Sequence, residues 1–293
     1  MTGDPALTVT VFKGAAGNRL VANVYGETGR AVVLLHGGGQ TRHAWHRTAV
    51  RLARAGWRAY AVDQRGHGDS DWVADGSYTY ADFAADAGAV ADAVAAGGRD
   101  RPVVIGASLG GIAALLAEGE AARNGRAPLF AALALVDITP RVDPDGVAKI
   151  QAFMRAKAKE GFASVSEAAA AVAAYLPHRP PPRSHDGLKK NLRLDPDGRW
   201  RWHWDPRFLD GPRPIGAWNE KVLSEAARAI KKPILLVRGT SSELVREEHV
   251  RDFLDLVPHA RYVDVAEARH MVAGDRNDHF AAAILTFLHN IPV

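Results

Sequence analysis

A serine stands at the centre of Gly106-Ala107-Ser108-Leu109-Gly110, directly after the apolar run Val103-Val104-Ile105. An Ala- and Leu-rich segment of helical character follows. Strand, sharp turn and helix in that order can hold a serine hydroxyl out as a nucleophile. The glycines have a steric purpose. The turn strains the backbone at Ser108, and a Cβ at Gly106 or Gly110 would crowd the neighbouring chain. The five-residue pattern also describes a passive glycine-rich turn, so its weight comes from its place between a buried strand and a helix.

A serine hydroxyl needs a base, and the base needs a carboxylate to fix its tautomer. Of the 12 histidines, His270 is the best placed. It follows the last expected strand and precedes the last expected helix. For the carboxylate, Glu243 is preferred. It lies after the run Pro233–Val237 and gives the chain order serine, acid, histidine. Asp137, directly after the run Phe130–Val136, is the alternative acid. Asp137 can also be read as a loop residue capping backbone amides before Pro140. An acyl-transfer intermediate further needs donors for its oxyanion. The N–H of Leu109, at the start of a helix, is one, and Gly38 in His36-Gly37-Gly38-Gly39 is the other. His36 is read as a structural residue that orients this loop.

Alternating elements must position these residues. Short β-like runs at Leu7–Phe12 and Leu20–Tyr25 form an expected hairpin. Strands are then expected at Ala31–Leu35, Arg58–Val62, Pro102–Ile105, Phe130–Val136, Pro233–Val237 and Ala260–Val265. Helices are expected near Ala44–Ala55, Tyr80–Ala95 (closed by Gly97-Gly98), Glu247–Leu256 and Asp278–Leu288. Such alternation of apolar strands with helices implies a mostly parallel sheet covered on both faces. From Ile138 to about Ala229 the alternation stops and no clear strand is legible. That stretch carries helical pieces (Val147–Lys159, Val165–Tyr175), a proline break (Pro177 to Pro182) and the cluster Trp200-Arg201-Trp202-His203-Trp204. The expectation is a core of residues 1–137 and 230–293, with residues 138–229 inserted as a helical lid over one sheet end. Ligands of open α/β sheets bind beyond the carboxyl ends of the strands. Ser108, Asp137, Glu243, His270 and the His36 loop all fall at such ends.

Composition is that of a globular chain: 293 residues, 47% hydrophobic and 24% charged, with a formal net charge of +4. The absence of cysteine excludes disulfides and thiolate metal sites. Basic residues are scattered, so no nucleic-acid partner is expected. No run is long enough for a membrane span, and the N-terminus has no leader pattern, so a cytoplasmic protein is expected.

Taken together, the His36 loop, the segment Asp63-Gln64-Arg65-Gly66-His67-Gly68-Asp69-Ser70, the Gly106–Gly110 turn and the His270 segment resemble the α/β-hydrolase superfamily. The nearest likeness is to bacterial esterase-like, haloperoxidase-like and epoxide-hydrolase-like members. The resemblance implies the α/β-hydrolase fold with an inserted cap, and a structural role for the Asp63–Ser70 segment. It implies a triad of Ser108, His270 and Glu243, with Gly38 and Leu109 as oxyanion hole and no metal or organic cofactor. Members of this family usually carry Asp where Glu243 stands, which keeps Asp137 open as the acid. A serine nucleophile argues against epoxide hydrolysis and dehalogenation, whose members use Asp there. Tyr175, Trp200, Trp202 and Trp204 are candidates to line an apolar substrate pocket, and each alone serves as readily in the lid's own core. The expected activity is hydrolysis of a small-molecule carboxylic ester or lactone. Carbon–carbon bond hydrolysis and perhydrolysis use the same parts, and a ligand-binding receptor can keep the fold. A homo-oligomer is compatible with all of these.

Overall fold

The computed structural model describes residues 5–97, 100–179, 184–216 and 218–291. Two antiparallel strands open the chain, β1 (Leu7–Lys13) and β2 (Arg19–Tyr25). Next come β3 (Ala31–Leu35), helix α1 (His46–Arg54), β4 (Arg58–Val62), α2 (Tyr80–Ala96), β5 (Val103–Ala107), α3 (Leu109–Arg123) and β6 (Ala132–Val136). The stretch that breaks the alternation holds α4 (Pro144–Arg155), α5 (Val165–Tyr175), α6 (Asp186–Lys189), strands β7 (Leu192–Leu194) and β8 (Trp200–Trp202), α7 (Arg207–Asp210) and α8 (Glu220–Ala229). The chain then returns to β9 (Ile234–Gly239), α9 (Glu247–Leu256), β10 (Arg261–Val265), α10 (Val272–Asp275) and α11 (Asn277–His289).

The main sheet has the order β1-β2-β4-β3-β5-β6-β9-β10. It is parallel from β4 to β10, and β2 joins β4 antiparallel. Every residue of β3, β6 and β9 is buried. This explains their continuous apolar sequence, because each face must be covered. Successive side chains in a strand serve opposite faces. Val33, Leu35, Leu133 and Leu135 pack with Phe83, Ile112, Leu223 and Phe253 on one face. Val32, Leu34, Ile105 and Val136 pack with Leu52, Phe280 and Ile284 on the other.

The inserted stretch differs from expectation in two ways. It contains a small antiparallel hairpin, β7 with β8, where no strand is expected. The turn Asp195-Pro196-Asp197-Gly198 closes it, with Gly198 at φ 77° and the Gly198 N–H on the Asp195 carbonyl at 2.9 Å. Three-residue strands are too short for alternation to register, but this turn is itself a hairpin signal. The second difference is α8, which falls within residues 138–229 yet packs on core helix α3. A Cβ placed on Gly119 of α3 would lie 2.5 Å from that of Ala226, so the two backbones approach closely. The rest of the insertion is tied to the core beyond the strand ends. Gly68 N–H donates to the His203 carbonyl (2.8 Å), and the Tyr78 hydroxyl donates to Asp205 (2.6 Å). Gly98 and the Pro180–Pro182 part of the expected proline break lie outside the described residues.

Candidate active site

Ser108 sits between β5 and α3 with φ 47° and ψ −114°. A positive φ is strained for a residue with a Cβ, and such strain persists only where the surroundings impose it. Here the packing is tight. A Cβ on Gly106 would come within 2.4 Å of the Gly110 backbone, and one on Gly110 within 2.3 Å of the Leu35 carbonyl. The Ser108 N–H continues the sheet ladder onto the Val136 carbonyl (3.1 Å). Among the described residues no hydrogen bond fixes its hydroxyl.

His270 follows β10 and lines the same cavity as Ser108. Its Nδ1 lies 2.8 Å from Oδ2 of Asp137. A carboxylate only accepts, so Nδ1 carries the proton and Nε2 keeps its lone pair. The residue facing His270 is therefore Asp137, and the preference for Glu243 is corrected. The reason lies in how the ends of β6 and β9 meet. Asp137 turns out of β6 at φ 51° and its N–H donates to the Val237 carbonyl (2.7 Å). Its Oδ1 accepts from Gly239 N–H (3.2 Å) and its Oδ2 from the Ser242 hydroxyl (2.5 Å). Ser242, not Glu243, is thus the residue of the β9 loop that reaches Asp137. Ser242 Oγ also accepts from the N–H groups of Leu244 and Val245 (both 3.0 Å), which folds the loop back on itself. The first turn of α4 then covers the loop, the Gly146 Cβ position falling 2.4 Å from the Glu243 carbonyl. Burial pushes the Asp137 carboxyl up from its ordinary value, and the bonds from His270, Ser242 and Gly239 oppose that push.

The loop after β3 brings Gly38 to the cavity beside Leu109, the first residue of α3. Among the described residues neither N–H has an acceptor, while both neighbours of Gly38 are engaged. Gly37 N–H donates to the Gln40 side chain (3.1 Å) and Gly39 N–H to His67 Nε2 (3.1 Å). Two buried histidines brace this loop. An N–H can only donate, so Nε2 of His67 is an acceptor and Nδ1 carries the proton, 2.9 Å from the Arg65 carbonyl. His36 repeats the pattern: Gln64 N–H donates to its Nε2 (3.1 Å) and its Nδ1–H to the Gly37 carbonyl (2.8 Å). Burial keeps both rings neutral, lowering His36 to about 4 and His67 to about 3. Arg65, fully buried, grips Asp86 through Nε (2.7 Å) and Nη2 (2.8 Å), so the Asp63–Ser70 segment serves as scaffold.

A cavity of about 460 Å³ lies over Ser108 between the sheet ends and the insertion. Tyr175, Trp202 and Trp204 line it; Trp200 does not. Trp200 is paired through its backbone with Phe162, at 2.9 and 2.7 Å, and belongs to the insertion's own structure. Sequence reasoning missed Tyr80, Phe153, Met154 and Trp218, which also line the cavity. Tyr80 opens α2, Phe153 and Met154 lie on α4 and Trp218 precedes α8, and nothing in their spacing signals that they meet at one site. Glu243 borders the cavity as well, without a hydrogen-bond partner for its buried Oε2. Among the described residues no group of three or more His, Asp or Glu is arranged to hold a metal ion, and no helix is long and apolar enough to cross a membrane.

Comparison with known proteins agrees with the fold. The family model described as alpha/beta hydrolase fold matches residues 30–276. An esterase of Mycobacterium tuberculosis, Rv0045c, is 31% identical over 258 residues, covering 86% of this chain and 80% of its own. A 3-hydroxybutyrate-oligomer hydrolase of Cupriavidus necator is 25% identical over 292 residues, covering 92% of this chain and 93% of its own. Among solved structures, an alpha/beta hydrolase from Novosphingobium aromaticivorans superposes with a TM-score of 0.79 at 26% identity, over 98% of this chain and 99% of its own.

Proposed function

The chain belongs to the α/β-hydrolase-fold family, and on that premise we propose that it is a serine hydrolase cleaving a carboxylic ester or lactone through an acyl-enzyme on Ser108. The observation that carries this reading is the strained Ser108 sharing one cavity with His270, whose Nδ1 is held by the buried Asp137. Ser108 Oγ attacks the carbonyl carbon as His270 Nε2 takes the hydroxyl proton. The oxyanion accepts from the N–H groups of Gly38 and Leu109. His270 then protonates the departing alkoxide, and the same nitrogen activates water to release the acid. Asp137 keeps the tautomer correct and stabilises the imidazolium; Ser242 and Gly239 N–H in turn hold Asp137. The esterase and oligomer-hydrolase names of the two relatives support ester chemistry.

The test is Ser108→Ala with a short p-nitrophenyl ester. Turnover should fall by at least ~10³-fold. A fluorophosphonate should label the parent protein, with the added mass mapping to the peptide that contains Ser108. Undiminished hydrolysis in the variant overturns the assignment.

A further inference from the structure

We propose that Glu243 is a specificity-determining residue that receives a cationic group of the substrate, an ammonium seated between its carboxylate and the aromatic wall of the insertion. This rests on the serine-hydrolase reading above and adds a substrate class to it.

Among the described residues, two of the three carboxylates at or next to the cavity are already engaged. Asp137 accepts from His270, Ser242 and Gly239. Asp275, at the cavity edge, accepts from Arg179 Nε (2.6 Å) and from Arg269 N–H (3.0 Å). Glu243 is different. Among the described residues its carboxylate has no hydrogen bond and no ion pair, and Oε2 is cut off from solvent. The side chain as a whole is half-buried, but a carboxylate oxygen shut off from water ordinarily has a partner, because losing its hydration is costly. The nearby cations do not supply that pairing: Arg179 is committed to Asp275, and Arg269 borders the cavity without an ion pair to Glu243.

Aromatic rings share the cavity with this carboxylate. The Tyr175 ring stacks on Phe153 with centroids 4.0 Å apart and planes 8° from parallel, and Phe153 lies 5.8 Å from Trp202. All three rings line the cavity with Glu243. The Tyr175 phenol is pushed up to about 12 by burial and, to a lesser degree, by the charge of Glu243, so this ring stays neutral. A carboxylate and a group of aromatic rings both attract a cation and both repel an anion. A hydroxyl would satisfy the carboxylate but gain little from the rings. The combination therefore favours an ammonium. Ser242, the preceding residue, bonds to Asp137, which keeps Glu243 beside the reacting centre.

The test uses matched esters. A choline ester is compared with the ester of its neutral isostere, in which carbon replaces nitrogen. A second pair carries the trimethylammonium group at the end of the acyl chain instead, and a third ester carries a terminal carboxylate. The parent protein should prefer the cationic member of at least one pair by about tenfold or more in kcat/KM. Glu243→Gln should erase that preference by lowering kcat/KM for the cationic ester, mainly through KM. The ratio within a pair is independent of how much of the variant is folded. Equal rates for cationic and neutral members overturn the proposal, as does a preference that survives the substitution. Preference for the carboxylate ester overturns it in favour of Arg269. In each case hydrolysis of the neutral ester that depends on Ser108 leaves the hydrolase reading standing. Loss of all ester turnover in the parent protein would remove both.

Discussion

At the scale of single residues, the meeting of Ser108 and His270 in one cavity was legible, and which of the two carboxylates reaches His270 was not. Ser108 was readable because its glycines exist for a steric reason that sequence displays. His270 was readable because one histidine of 12 follows the last strand before the last helix. The acid depends on which of two adjacent loops turns its carboxylate inward. That is decided by the Ser242 hydroxyl and by the left-handed turn at Asp137, neither of which has a periodic signature. The assignment of Asp137 has a direct consequence. Asp137→Asn should lower kcat by ~10³–10⁴-fold, because an amide can donate to His270 and favour the wrong tautomer. KM should change little. Steady-state kinetics on a neutral ester checks this, and a kcat matching the parent would return the role to Glu243.

At the scale of elements, strands and helices of the core were readable nearly to the residue. Ala31–Leu35 and Arg58–Val62 have the bounds expected from their apolar runs. The hairpin β7–β8 was not readable, because three residues carry no alternation. The loop after β3 was recognised by its glycines, but the means of holding it was not. It rests on two neutral histidines that each donate through Nδ1 and accept at Nε2. This arrangement has a pH signature. Both folded-state values lie below 6.5, so as pH falls through 6.5 the unfolded chain takes up protons that the native loop refuses. Stability contributed by these rings is complete above pH 6.5. It is lost progressively toward about pH 4 for His36 and about pH 3 for His67. Each ring contributes a slope of up to about 1.4 kcal/mol per pH unit in that window. In His67→Gln the loss of unfolding free energy between pH 7 and pH 5 should shrink by roughly 2 kcal/mol relative to the parent. Denaturant titrations at the two pH values measure it. An unchanged difference would mean that His67 is not held neutral.

At the scale of the whole molecule, the proposed function divides the labour between a sheet whose strand ends hold Ser108 and His270 and an inserted stretch that walls the cavity above them. The insertion is anchored where it crosses the strand ends, through Asp205 on Tyr78 and through Arg179 on Asp275, five residues after His270. The cavity it encloses, about 460 Å³, is within the range of small-molecule sites. Its walls include Ile150 of α4 and Val172 of α5, both remote in sequence from Ser108 and His270. If this space receives the chain of the ester, filling it from the insertion side should penalise long substrates and spare short ones. Val172→Phe adds a ring to the wall without touching Ser108, His270 or Asp137. The ratio of kcat/KM for p-nitrophenyl octanoate over the acetate should fall by about tenfold, the loss expected when an apolar chain of several methylenes is excluded from its pocket. Ile150→Phe should act in the same direction from the neighbouring helix. Acetate turnover in each variant reports on the intact triad, so the ratio isolates the cavity. An unchanged ratio in both variants would mean that the acyl chain leaves the site by another route and that the insertion does not set substrate length.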